Sequence, residues 1–183
     1  VPWSQTDTNP TGAVTATSDD LYIGNSDANN EWASPMDDFR LYNRVLTAAE
    51  VAELYNARDG IRYNRVNRVP EYFDGNRMVA MTRPFPDVPG GLIGHWKLDE
   101  TSGTTAADSS GNGLNGTMGG GLSGGTNSII GPIGNALKLD GVDDTINLGN
   151  AGAVNNIFGT GGTIAAWYWI EPSASSFRIF DKD

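Results

Sequence analysis

Short apolar runs separated by turn residues dominate the second half of the chain. From Leu92 onward the runs are LIGHWKL, LNGTM, NALKLD, DTINLG, GTIAAWYWIEP and FRIFD, with Gly, Asn and Asp between them. Strands of this length joined by Gly-rich and Asn-rich turns are typical of an antiparallel sandwich. The pattern therefore predicts an all-β fold of two sheets for this half.

The stretch MDDFRLYNRVLTAAEVAELYN, in the first half, combines a strand with a helix. The two-residue period of a strand places Asp37, Phe39 and Leu41 on one face, and we expect Phe39 and Leu41 in the core. Thr47 and Glu50 have the spacing of a capping box, in which each residue binds the backbone amide of the other. One short helix is therefore predicted to start here.

Residues 58–91 differ from both flanks. They hold half of the chain's 12 basic residues, all of them Arg, and many of its prolines. They also contain more apolar side chains than a freely solvated linker has. We interpret them as a connector that packs against a neighbouring domain or docks a partner protein.

Charge and composition exclude some partners. With 22 acidic and 12 basic residues the net charge is -10, so most of the surface repels nucleic acid. No apolar run approaches the roughly 20 residues that span a bilayer. Cysteine is absent, so no disulfide holds the fold.

Two groups of motifs resemble opposite ends of one kind of domain. GLIGHWKLDETSGTTAADSSGNGLNGT, GPIGNALKLDGVDDTINLG and GTIAAWYWIEP resemble, in this order, the first half of a laminin-G-like domain of the concanavalin A-like lectin superfamily. LYIGNSDANNEWASPMDDFRLYNRVLTAAEVAELYN resembles the closing segment of that family. The resemblance covers residues 20–56 and 91–183. It implies an antiparallel two-sheet jelly roll in which the first and last strands are neighbours.

The closing segment precedes the opening one, which allows two domain arrangements. In the preferred one, residues 1–57 are the C-terminal part of a sandwich, residues 58–91 connect, and residues 92–183 are the N-terminal part of the next sandwich in a tandem array. The alternative is one permuted or shared sandwich over residues 1–183. The first is preferred because the middle strands of the family are missing from both segments.

Incomplete segments have a physical consequence. Apolar residues such as Leu137, Leu139, Ile164 and Tyr168 would lack full cover, and unpaired strand edges invite another chain. We therefore expect the isolated chain not to be a well-behaved monomer, with other copies or neighbouring domains of the same assembly as its partners.

The resemblance also implies a calcium ion at the rim of the sandwich. Asp108 and Asn112 lie in the Gly-rich turn ADSSGNG, and calcium prefers carboxylate, amide and backbone oxygens. Asp37 matches the Asp of the family's closing segment, and the resemblance places it near that turn. The alternative is that Asp108 and Asn112 only cap the turn by hydrogen bonds. A second acidic turn, LDGVDD, is interpreted as a solvated hairpin.

Catalysis has little support in the sequence. His95 is the only histidine, and neither a G-x-S-x-G motif nor a Glu-x-Asp-x-Glu pattern of paired catalytic carboxylates occurs. Asp99 and Glu100 are adjacent, so a strand would point them to opposite faces. We predict no enzyme activity, and we interpret His95 as an ordinary strand residue.

The aromatic residues of GTIAAWYWIEP suggest a ligand. Trp167 and Trp169 could form a stacking platform for sugar rings, although central strands also bury such side chains as plain core. The sequence thus favours a non-enzymatic structural or recognition module, adhesive or glycan-binding, of an extracellular, cell-surface or virion protein. The rival is an accessory carbohydrate-binding module of a secreted glycoside hydrolase.

Overall fold

A computed structural model describes residues 20–24, 33–59, 61–64, 69–73, 78–80, 90–155, 161–169 and 179–182 of the chain. The strands are β1 (Leu21–Gly24), β2 (Pro35–Tyr42), β3 (Ile61–Asn64), β4 (Val69–Phe73), β5 (Met78–Ala80), β6 (Leu92–Trp96), β7 (Thr105–Ala106), β8 (Gly116–Gly119), β9 (Ser128–Ile130), β10 (Asn135–Lys138), β11 (Thr145–Asn147), β12 (Thr163–Tyr168) and β13 (Phe180–Lys182). The helices are α1 (Ala48–Asp59), α2 (Gly124–Asn127) and α3 (Gly152–Asn155).

Two antiparallel sheets form the sandwich. The first sheet has the strand order β13-β1-β11-β8-β7, and the second has the order β12-β2-β10-β9. Strand β2 is central in the second sheet, because β12 pairs along one edge while β10 and β6 pair along the other. This confirms the all-β, two-sheet sandwich of the concanavalin A-like kind that the sequence predicts.

Apolar side chains of both sheets fill the space between them. Phe39 and Leu41 are completely buried, as predicted. Leu137 and Leu139 are completely buried as well, so the expectation that they lack cover is wrong. They are covered because β10 pairs with β2 and packs against the core residues of both sheets. Ile164 is only half-buried, and Tyr168 is 38% exposed.

The two resembling segments lie in one sandwich. In the first sheet β1 lies between β11 and β13, and in the second β2 pairs with β6, β10 and β12. This pairing agrees with the permuted or shared alternative, and the division of the chain into domains stays a prediction. The pairing forms because each strand of the first segment has two backbone edges, and both edges find partners in the second segment. The tandem arrangement in a longer polypeptide stays a prediction.

A bulge interrupts β2. Asp38 has a positive φ of 54°, and the register with β12 shifts between Ala165 and Trp167. An extra residue at a bulge changes which face the following side chains occupy. Asp37 pairs with Trp167, an apolar residue that lies outside the hydrophobic core cluster containing Phe39. The prediction that Asp37 shares the face of Phe39 is therefore wrong, since simple alternation does not pass through the bulge.

Helix α1 begins at the predicted capping box. The Glu50 amide donates to Thr47 Oγ1 at 3.3 Å, and the Thr47 amide donates to Glu50 Oε2 at 2.7 Å. Arg44 Nη2 lies 2.6 Å from Glu50 Oε1. The hydrogen bond from Arg44, followed by those from Thr47, lowers the pKa of Glu50 to about 2. The two other helices, α2 and α3, are single turns that the sequence did not indicate.

Residues 61–80 hold a small sheet of their own. Its order is β3-β4-β5, and both pairings are antiparallel. The predicted connector thus contains regular structure. The prediction that its apolar side chains pack against a domain or a partner falls on side chains outside the described part.

Candidate functional site

A groove of about 440 Å³ lies along the second sheet, next to the bulge of β2. We call it the outer groove because Asp37, Ala136 and Trp167, which line it, do not belong to the core cluster. One wall comes from β12 and the residue after it, and the opposite wall comes from β9 and the turn that follows. The residues that matter below are Asp37, Ile129, Ile130, Pro132, Trp167 and Trp169.

The structure brings Trp167 and Trp169 together in this groove. Trp169 is 64% exposed, and its backbone N–H donates to the Pro35 carbonyl at 3.1 Å. Trp167 is half-buried, and the Tyr55 ring of α1 lies 5.6 Å from it, tilted by 37°. Trp169 is therefore not plain core. The sugar-platform interpretation of the two indoles stays a prediction.

Asp37 is buried beside these indoles. It is 1% exposed, and its Oδ2 accepts a hydrogen bond from the Ile133 amide at 2.9 Å, while its Oδ1 has no hydrogen-bond partner in the described part of the chain. Burial raises the pKa of Asp37 to about 8, and the charges of Asp38 and Asp99 add to this rise. The turn also needs Gly131, because a Cβ there would stand 2.7 Å from Asp37 Oδ2.

Asp108 and Asn112 hold their own turn together. Asp108 Oδ1 accepts from the amides of His95 at 3.0 Å and Ser110 at 2.8 Å. Its Oδ2 accepts from the Leu114 amide at 2.9 Å and from Ser110 Oγ at 2.8 Å. Burial raises the pKa of Asp108, but these hydrogen bonds outweigh it and hold the pKa below its usual value. The Asn112 amide group donates to the carbonyls of Leu92 and Ile93.

These contacts test the fit of a calcium ion. A carboxylate has about four lone-pair positions, and hydrogen bonds from the protein occupy that number on Asp108. An ion at Asp108 would have to displace a donor. Asp37 contacts a different turn and shares no observed hydrogen-bond partner with Asp108. The turn as folded therefore fits the hydrogen-bond alternative, and calcium at Asp108, Asn112 and Asp37 stays a prediction.

Asp108→Ala tests both roles. It leaves three backbone N–H groups without their acceptor, at about 1–3 kcal/mol for each buried one, so we expect a lower melting temperature in calcium-free buffer. Asp140→Ala, in the exposed acidic turn, serves as the control. A second variant, Asp108→Asn, tests the calcium role. If calcium binds here, it raises the melting temperature of the unsubstituted chain but not that of Asp108→Asn. No calcium response in the unsubstituted chain would contradict the calcium prediction.

The second acidic turn contains the one close carboxylate cluster among the described residues. Ligand atoms of Asp140, Asp143 and Asp144 lie within 4.8 Å of one another. Asp144 Oδ2 accepts from the Asp140 amide at 3.0 Å, and Asp140 Oδ1 accepts from the Val142 amide at 2.8 Å. Burial raises the pKa of Asp144, with Asp140 and Asp143 adding to it. The turn is thus a hydrogen-bonded hairpin. The interpretation of this turn as solvated is wrong for Asp144, which is buried.

A buried polar network joins the two segments, and sequence reasoning missed it. His95 Nε2 lies 2.6 Å from Asp38 Oδ1, and Arg40 Nε donates to Asp38 Oδ2 at 3.0 Å. Burial raises the pKa of Asp38, but His95 and Arg40 outweigh it and hold the pKa below its usual value. The sequence did contain a signal for this network, because Asp38 and Arg40 are charged residues in the interior of β2. Charged residues are rarely buried unless they are paired. His95 is a residue of strand β6, as the sequence analysis expects, and its side chain contacts Asp38 in this network.

Residues 4–52 match a laminin G family model described as concanavalin A-like lectin/glucanases superfamily. The first segment is similar to laminin-G-like domains. The match includes β1, β2 and the start of α1, and it confirms the resemblance of that segment. No curated protein and no solved structure gives a significant match to the chain.

The similarity to laminin-G-like domains has general consequences. Such domains are usually non-catalytic binding modules and are typically extracellular, which supports a carbohydrate-binding or adhesion-type module. Across the described part of the chain, no helix has the length and apolarity that a membrane span needs.

Proposed function

We propose that this chain is a non-enzymatic recognition or structural module of an extracellular, cell-surface or virion protein, and that it acts in adhesion by binding glycans. The observation that carries the proposal is the exposed indole of Trp169 in the outer groove of a laminin-G-like sandwich. A large apolar ring left in water is unfavourable, and aromatic rings with one wet side are typical of binding surfaces.

The absence of enzyme activity is part of this proposal. Most glycoside hydrolases use a pair of carboxylates at a fixed separation, and the sequence has no Glu-x-Asp-x-Glu pattern. The buried carboxylates Asp37 and Asp38 are engaged with backbone and with His95 and Arg40. Asp38 joins β2 to β6 and Asp37 binds the turn after β9, so the two carboxylates make separate contacts and do not form an acid–nucleophile pair.

Partners of the same assembly are proposed from the strand edges. Within the described residues, β12 pairs only with β2 and β13 pairs only with β1, so each ends a sheet. Strand β12, TIAAWY, contains no charged residue or proline that would discourage another strand. Other copies or neighbouring domains of the assembly are therefore the partners expected at this side, in addition to glycans.

Localisation and binding together test the function. We expect an antibody against the chain to detect it in the cell-envelope, secreted or virion fraction of its source, and we expect the purified chain to bind glycans without hydrolysing them. Product analysis of the incubated glycans checks the second point. A cytosolic location, or release of reducing ends by the purified chain, would contradict the proposal.

The rival proposal is an accessory carbohydrate-binding module of a secreted glycoside hydrolase. The same groove supports it, because such a module also presents aromatic rings to a sugar chain. Sequencing the open reading frame on both sides of this chain separates the two. A hydrolase domain in the same reading frame would favour the accessory module over the structural or adhesive one.

A further inference from the structure

We propose that the outer groove is one site for an uncharged pyranose ring, stacked on the indoles of Trp169 and Trp167 and held from the opposite side by Ile130 and Pro132. This inference rests on the proposed glycan binding and gives it a place and a substrate class. The two walls come from parts of the chain that are far apart in sequence, so the groove exists only in the folded protein.

The apolar walls suit the C–H faces of a sugar ring. Trp169 is 64% exposed and Ile130, across the groove, is 62% exposed. A ring between them would bury apolar surface, which favours binding. Its hydroxyl groups at the rim would stay in water, so the groove needs few polar partners of its own. A volume of about 440 Å³ is within the range of small-molecule sites.

The bulge in β2 builds the groove. It turns Asp37 to the face of Trp167, and Tyr55 of α1 packs against the Trp167 ring and positions it. Gly131 lets the opposite turn approach, because a Cβ there would stand 2.7 Å from Asp37 Oδ2 and 2.9 Å from the Ala136 Cβ. Bulges beside functional sites commonly re-aim side chains in this way.

Asp37 adds a polar group to this apolar site. Its Oδ1 is buried and has no hydrogen-bond partner in the described part, although a buried carboxylate oxygen normally has one. Because the atom is buried, a ring hydroxyl reaches it only after a neighbouring side chain has moved. The hydroxyl would then form a hydrogen bond with this oxygen.

Charge determines the class of sugar. The chain carries a net charge of -10, so its surface as a whole repels anions. Among the groove residues named here no cationic side chain is present to hold a sugar carboxylate. Uronic and sialic acids are therefore repelled, and neutral hexoses are accepted.

Calorimetric titration of the full chain tests the site with defined probes: cellohexaose, maltohexaose and chitohexaose as neutral sugars, and hexagalacturonate as the acidic one. We expect at least one neutral probe to bind and hexagalacturonate not to bind. Trp169→Ala should weaken the binding about tenfold, which corresponds to about 1.4 kcal/mol. Ile130→Ala should weaken it several-fold.

Val142→Ala is the matched control for Ile130→Ala, because both side chains are 62% exposed but Val142 lies in the acidic turn. It should bind like the unsubstituted chain. Binding that survives both Trp169→Ala and Ile130→Ala would place glycan recognition elsewhere and leave the proposed function intact. Failure of every neutral probe to bind, or equal binding of hexagalacturonate, would overturn the groove proposal, whereas localisation tests the proposed function separately.

Discussion

Phe39→Ala is expected to lower the free energy of unfolding by about 3–5 kcal/mol, which is a large part of the 5–15 kcal/mol typical of a domain. Phe39 is completely buried on β2, and it lies in register with Trp96 of β6, with ring centroids 6.0 Å apart. Removing the ring leaves a cavity where the two segments meet. Urea unfolding followed by circular dichroism measures the loss.

A double-mutant cycle shows whether the two rings are direct neighbours in solution. We expect Phe39→Leu and Trp96→Leu to be coupled by about 0.5–1.5 kcal/mol, as aromatic pairs are. Phe180→Ala, at an edge strand and 37% exposed, is the control and should cost much less. Light scattering at the same concentrations shows whether the pair forms within one chain or between copies. Additive effects of the two substitutions would contradict the shared sandwich.

Asp37→Asn is expected to reverse its effect on stability with pH. The pKa of Asp37 is raised from 3.8 to about 8 in the folded chain, so the folded state holds a proton that the unfolded state releases. The resulting stability is fully present below about pH 4 and is lost as the pH rises towards 8, at up to about 1.4 kcal/mol per pH unit. Asn has no proton to lose, so the variant should lack this loss.

Urea unfolding at about pH 5 and about pH 9 measures the difference. The variant should be no more stable than the unsubstituted chain at the lower pH and more stable, by several kcal/mol, at the higher one. Asp143→Asn, which removes an exposed carboxylate of the acidic turn, is the control and should follow the unsubstituted chain. Parallel pH profiles for Asp37→Asn and the unsubstituted chain would contradict a protonated buried Asp37. If calcium in the buffer removed the slope, it would indicate that an ion keeps this carboxylate charged.

Local patterns in the sequence determined the parts of this protein. The alternation of FRL in β2 gave the core positions of Phe39 and Leu41, because strand periodicity depends only on backbone geometry. The capping box of Thr47 and Glu50 gave the start of α1, because its hydrogen bonds span three residues. The Gly-rich turns and short apolar runs gave an all-β sandwich for the same local reasons.

Which contacts those parts make with one another was decided by the tertiary structure. Neither alternation nor composition shows that Asp38 adopts a positive φ, and this single residue turns Asp37 from the Phe39 face towards Trp167. The carboxylate of Asp108 could serve an ion or the backbone, and only the folded positions of His95 and Leu114 assign its oxygens to amides.

The pairing of the two segments and the outer groove are likewise tertiary. The motifs identified a closing and an opening segment. The sequence of a strand does not show whether its partner strand lies in the same chain. In this structure β2 pairs with β6, because both strands are present and complementary. Trp169 and Ile130 line one groove although they lie far apart in the sequence. Contacts between residues so far apart depend on the packing of whole sheets, which short-range sequence patterns do not encode.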